Sequence, residues 1–148
     1  MEKNFERVRS VRDIIISVIM TVAGIACVVM PTSVSVNIFG MCLAVPGVLM
    51  FMFMKTEYKD AETGEHFCRR IKYYPASRKA GILESLGGDP SKSDWKEDAA
   101  ASGLMLDVYS GVASDKVYVR VLEFIPYSYQ PCSGWFSYDK AHAGGLVK

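Results

Sequence analysis

The side chains in this 148-residue chain that could do covalent or metal chemistry are few and far apart. Cysteines stand at 27, 42, 68 and 132, and histidines at 66 and 142. His66-x-Cys68 would put two metal-ligand types on one face of a strand, with Cys132 and His142 left to complete a tetrahedral set. Structural zinc sites pair cysteines two to four positions apart, and these are not so spaced, so no metal is expected. Cys132 with His142 as base and Asp139 as orienter is the one nucleophilic triad that can be written. It would need a lowered thiol pKa and all three side chains in contact, and Ser133-Gly134-Trp135 makes no nucleophile motif. Gly87-Gly88-Asp89-Pro90-Ser91-Lys92 lacks both the preceding strand and the Gly-Lys-Ser/Thr ending of a phosphate loop. No catalytic residue is assigned, no cofactor is implied, and a non-enzymatic role is expected.

Two other groups could bind rather than react. Arg69, Arg70, Lys72, Arg78 and Lys79, with Tyr73 and Tyr74 between them, form a basic cluster. Beside a cytoplasmic leaflet, each cation gains about 1 kcal/mol from anionic headgroups, and tyrosines favour the interface. The cluster is therefore a candidate for lipid or partner contact, against the plainer reading of a solvated face. The second group is Phe124, Tyr127, Tyr129, Trp135, Phe136 and Tyr138. Most of these suit a core, while those between Pro126 and Pro131 suit an exposed contact surface. The net charge of +1 is too small for a dedicated nucleic-acid binder, and no nucleic-acid partner is expected.

What must position these groups is set by an uneven distribution of charge. Residues 14–54 contain no Asp, Glu, Lys, Arg or His. The run is too long for one span and breaks at Pro31-Thr32-Ser33-Val34-Ser35-Val36-Asn37, a turn signal. Two spans follow, about 14–30 and 38–54, with a loop at 31–37. Each is roughly 26 Å long as a helix, against a hydrocarbon core of about 30 Å. The Ile and Val residues of the first favour insertion by about 3–5 kcal/mol. Residues 55–148 could not bury two such helices and also fold themselves. Each span carries small residues at i, i+4 and i+7: Ser17, Thr21 and Gly24, then Gly40, Ala44 and Gly47. Such stripes let membrane helices pack closely, so a helical hairpin packed along them is expected. Pro46 should kink the second span. With no ionisable group in either span there is no ion path; a pore would need oligomers lined by Ser17, Thr21 or Asn37.

Lys3, Arg7, Arg9 and Arg12 precede the first span, and Lys55, Lys59, Arg69, Arg70 and Lys72 follow the second, while the loop has neither Lys nor Arg. The positive-inside rule then puts both termini in the cytoplasm, with the protein integral to the cytoplasmic (inner or plasma) membrane. A secretory signal with 14–26 as its apolar region is the rival. Gly24-Ile25-Ala26-Cys27 is similar to a lipoprotein box, but has Gly24 where a large aliphatic residue belongs, and a second apolar span follows at once. Cys27 and Cys42 should pack as small apolar groups in the spans, and a Cys68–Cys132 disulfide requires export.

Residues 55–148 balance thirteen Lys or Arg against thirteen Asp or Glu and suit one small α+β domain with an antiparallel sheet. Lys55–Asp60 and His66–Tyr74 predict a hairpin about the turn Ala61–Glu65. Ser77 predicts the cap of a helix that buries Ala80, Ile82, Leu83 and Leu86 and ends at Gly87-Gly88. Asp94–Ser102 predicts a second short helix. Leu104–Tyr109 and Lys116–Ile125 predict a hairpin, the clearest signal in this part. Gly134–Tyr138 predicts a last strand, and the glycine-containing tail from Ala141 is expected to fray. The whole reads as a membrane α-hairpin (two transmembrane helices) with a basic segment at 1–13 and a cytoplasmic domain at 55–148. The function expected is a membrane-anchored interaction or regulatory module, standing alone or as a subunit of a larger membrane assembly. The alternative is a self-associating effector that perturbs the bilayer when its domain is triggered. Candidate partners are anionic lipid headgroups, an unidentified protein and a second copy of the chain.

Overall fold

The charge-free stretch over 14–54 forms two helices, each satisfying its backbone groups through its own N–H to C=O ladder. In the computed structural model, which describes residues 2–98 and 100–148, α1 is Val11–Val29 and α2 is Val34–Met52. Both helices begin earlier than the charge-free run suggests. Helix α1 takes in Arg12 and Asp13, and an acidic residue in the first turn suits the positive end of the helix dipole. Helix α2 starts at Val34 because the Ser33 carbonyl already accepts the N–H groups of Val36 and Asn37. The turn is thus shorter than the expected 31–37: polar Ser35 and Asn37 are tolerated inside a helix, and only Pro31 and its neighbours break it. Both helices are long and apolar enough to cross a membrane, by length and composition.

The chain divides into two units. One is Arg7–Glu57, which holds α1 and α2; the other combines residues 2–6 with Tyr58–Lys148. The sheet has strands β1 (Phe5–Arg9), β2 (Thr56–Asp60), β3 (His66–Tyr74), β4 (Leu104–Gly111), β5 (Lys116–Ile125), β6 (Ser128–Pro131) and β7 (Phe136–Asp139); the second unit holds β3 to β7 with the start of β1 and the end of β2. They lie in chain order from β1 to β6, and every pairing from β2 onward is antiparallel. The central ladder pairs Tyr74 with Leu104 and Leu104 with Glu123. The free side of β5 is shared: β6 pairs with Leu122–Ile125 and β7 with Lys116–Val119. The turn from β2 to β3 forms where expected. Asp60 accepts from the Glu62 N–H and from Thr63 Oγ1, and Gly64 takes a positive φ of 72° that favours glycine.

The sheet is covered on both faces, so all eight residues of β4 are buried. On one face Leu104, Leu106, Val108, Val117, Val119 and Val121 pack under α3 (Lys79–Gly87) and α4 (Gly144–Val147) through Ile82, Leu86 and Leu146. On the other face Phe67, Tyr109 and Tyr118 meet Phe5, Tyr58 and Trp135.

Several local expectations are corrected. The segment 1–13 contains a strand: Phe5 stacks on Tyr109 with ring centroids 4.1 Å apart, and that contact draws β1 into the sheet. The helix expected at Asp94–Ser102 does not form among its described residues (Ala99 lies outside them). Asp94 and Asp98 instead accept from the N–H groups two residues on, turns that compete with helix, while Trp95 enters the core and donates to the Pro90 carbonyl at 2.7 Å. Ser77 does not cap α3 with its side chain; a 3-10 turn over Ala76–Arg78 leads in, and Ala80 stays exposed. The tail is anchored, because α4 buries Leu146 and Ala143 against the core. Within the stretch from Pro126 to Pro131, Ser128–Pro131 forms β6, a strand with no counterpart among the expected elements.

Candidate functional site

In the helical unit the two stripes face each other. A Cβ placed on Gly24 would lie 2.5 Å from the Ala44 nitrogen, and one on Gly40 would lie 2.7 Å from the Gly24 carbonyl oxygen. One on Gly47 would lie 2.5 Å from Thr21 Oγ1. Only hydrogen fits there, so the backbones themselves are in contact. Ser17 Oγ, 1% exposed, donates to the Gly47 carbonyl across the pair at 2.6 Å, and Thr21 Oγ1 donates to the Ser17 carbonyl at 2.8 Å. Ser17, Thr21, Gly24, Gly40, Ala44 and Gly47 are therefore brought together in one seam. The opposite faces, with Ile15, Ile19, Val22, Phe39, Met41 and Val45, are exposed.

The basic cluster is not one patch. Alternation along β3 sends Arg69 to the aromatic face and Arg70 and Lys72 to the other. Arg69 grips Asp107 with two hydrogen bonds, Nε to Oδ1 at 2.5 Å and Nη2 to Oδ2 at 2.7 Å, and lies over the rings of Tyr58 and Tyr109. That pairing raises its pKa further and keeps it charged. Lys72 is buried and donates to the Gly145 carbonyl at 3.0 Å, and burial lowers its pKa. Arg70 donates to the Lys148 carbonyl. Arg78 donates to the Asp94 carbonyl and lies over the Tyr74 ring, and Lys79 pairs with Glu123 at 2.5 Å. Tyr74 is wholly buried, its hydroxyl donates to the Trp95 carbonyl, and burial pushes its pKa up to about 12. Tyr73 is half-buried, with its N–H on Glu97 and its ring near Tyr129.

The aromatic run divides likewise. Phe136 and Tyr138 pack on the aliphatic core, and Tyr138 donates to the Leu86 carbonyl. Trp135 joins the aromatic face. The tip between β5 and β6 stays open: Tyr127 is 98% exposed, and its φ of 78° is strained for a residue with a side chain.

Neither of the chemical candidates assembles. Cys132 packs beside the aliphatic core, its thiol donates to the Val121 carbonyl, and burial raises its pKa, opposite to what a nucleophile needs. His142 turns back on Asp139 through backbone only. Among the described residues no three His, Cys, Asp or Glu side chains converge as metal ligands, and all four cysteines are free thiols.

Two features escaped the sequence. Lys3 Nζ lies 2.9 Å from both Asp60 Oδ2 and Glu62 Oε2 and 5.4 Å from the Tyr118 ring centre, with its side chain and that of Asp60 almost fully buried. The partners are nearly sixty positions apart, so no local spacing announces them. The other is a cleft of about 410 Å³ within the helical unit, lined by Arg7, Arg9, Phe51, Met52, Met54 and Thr56. Its signal was present only as two arginines flanking a valine just before the first span. Comparison of the chain with protein-family models, with curated proteins and with solved structures finds no match.

Proposed function

We propose that the chain is a membrane-anchored interaction or regulatory module. In this reading α1 and α2 span a cytoplasmic membrane with both ends inside, and the sheet unit is the part that meets partners. The observation that carries it is the helix pair itself: only 11% of each span is buried, the seam holds the small and hydroxyl side chains, and the exposed faces are Ile, Val, Met and Phe. A core helix of a soluble protein would bury those faces, whereas lipid leaves them nothing to hide from. Charge asymmetry about the spans supports the orientation. Arg70 and Arg78, exposed and held by backbone carbonyls, remain candidates for partner contact, as does the open β5–β6 tip. The self-associating effector draws on the same small residues. Ser17, Gly24, Gly40 and Gly47 are already covered within one hairpin, which favours the module.

Thiol labelling in intact cells tests this reading. Cys68 is exposed and serves as reporter, with Cys27 and Cys42 changed to serine. A membrane-impermeant reagent should label Cys68 only after lysis, and the chain should stay with membranes through alkaline carbonate extraction. Labelling before lysis would reverse the orientation, and extraction into the supernatant would remove the membrane.

A further inference from the structure

The cleft lined by Arg7 and Arg9 brings two guanidiniums together with apolar side chains. Arg7 Nη2 reaches only the Thr56 hydroxyl, at 3.2 Å, and the Arg9 guanidinium lies 6.0 Å from the Phe51 ring centre. Neither is paired with a carboxylate among the described residues, unlike Lys3, Arg69 and Lys79. The last turn of α2 contributes a dipole end of about −0.5 charge, which two guanidiniums outweigh. The rest of the lining comes from Val8, Phe51, Met52, Met54 and Thr56, so apolar side chains stand beside the guanidiniums although most of the lining surface is polar.

We propose that this cleft binds an anionic glycerophospholipid, with the phosphate between Arg7 and Arg9 and the start of an acyl chain along Phe51 and Met52. This rests on the reading of α1 and α2 as membrane spans. Each helix is roughly 28 Å long, close to the hydrocarbon thickness of about 30 Å. Arg9 stands two residues outside α1, roughly 7 Å further in extended chain, which is the depth of the headgroup layer. A charged cleft bordered by Phe51, Met52 and Met54 at that depth fits a molecule that is phosphate at one end and hydrocarbon at the other. A free phosphate would use the arginines and leave those side chains without a partner. Arginine is suited to the task because its planar fork meets two phosphate oxygens at once.

The test uses the full chain reconstituted in phosphatidylcholine bilayers doped with spin-labelled phosphatidylglycerol or spin-labelled phosphatidylcholine. The wild type should retain the anionic probe roughly tenfold over the neutral one, and Arg7→Gln with Arg9→Gln should bring the ratio near one. Arg7→Lys with Arg9→Lys should keep part of the preference, and Lys96→Gln, at an exposed cation elsewhere on the chain, should keep all of it. Thermal unfolding of each variant, followed by circular dichroism, should match wild type. Millimolar inorganic phosphate should not displace the lipid; displacement would make the cleft a plain anion site and overturn the proposal. Equal loss in Lys96→Gln would reduce the effect to surface charge and overturn it too. A wild type that reconstitutes yet shows no preference defeats the lipid site alone, whereas failure to reconstitute defeats the spanning reading as well.

Discussion

At the scale of single residues the sheet unit depends on one ion pair out of water. Burial alone would raise the Asp60 carboxyl, but hydrogen bonds from Lys3, the Glu62 N–H and Thr63 outweigh it and leave the pKa lowered. The same contacts, that with Asp60 foremost, raise Lys3. The signs set a pH window. A lowered acid contributes stability that is full above its unfolded value, about 3.9, and is lost as pH falls through the folded value. A raised amine contributes below about 10.4 and is lost only at higher pH. Asp60→Asn should therefore cost roughly 3 kcal/mol at pH 7, because it leaves the buried ammonium with only the exposed Glu62 as a charged partner, and the gap to wild type should narrow as pH falls below 4. Urea unfolding at pH 7 and at pH 3 measures both. A constant gap across that range would show that the lost interaction was not the carboxylate's charge. None of this pair is legible from local sequence: Lys3 is one more cation ahead of the first apolar run, and Asp60 is the last residue of a hairpin arm.

At the scale of elements, legibility followed the range of the signal. The two long apolar helices were plain, because an unbroken lack of charge is read over dozens of residues, and their facing stripes were plain because i, i+4, i+7 is a helix's own period. Their ends were not, since Arg12, Ser35 and Asn37 are polar without being helix breakers. The β4–β5 hairpin was legible from alternating Val and Tyr. Strand β1 was not, because five residues with three charges carry only Phe5 and Val8 as evidence. The basic cluster misled because neighbours in a strand point to opposite faces. The helix pair supplies the prediction here. Gly40→Leu must push Cys27 and the Gly24 backbone away, and should cost about 1–3 kcal/mol of helix–helix association. Steric-trapping or detergent-denaturation measurements in bicelles would read it. Gly134→Leu, where nothing lies within 4 Å of an added Cβ, is the matched control and should be silent.

At the scale of the whole molecule, the sheet unit is sewn from two stretches of chain far apart in sequence. Residues 2–6 supply Lys3 and Phe5; the rest comes from residue 58 onward. Phe5 meets Phe67, Tyr109, Tyr118 and Trp135. Phe5→Ala should destabilise the unit by about 3 kcal/mol, a loss read by urea unfolding with tryptophan fluorescence. An unchanged midpoint would mean that the aromatic face closes without the first strand.

That discontinuity has a bearing on biogenesis. Everything from Arg7 to Glu57 is, in effect, an insert within a sheet protein. During synthesis the first few residues emerge early and must wait for partners such as Asp60 and Tyr109. Were only one helix threaded through a bilayer, Phe5 and Tyr109 would be stranded in different compartments and the sheet could not close. If α1 and α2 cross a membrane, completion of the aromatic face would thus require an even number of crossings, whatever the flanking charges.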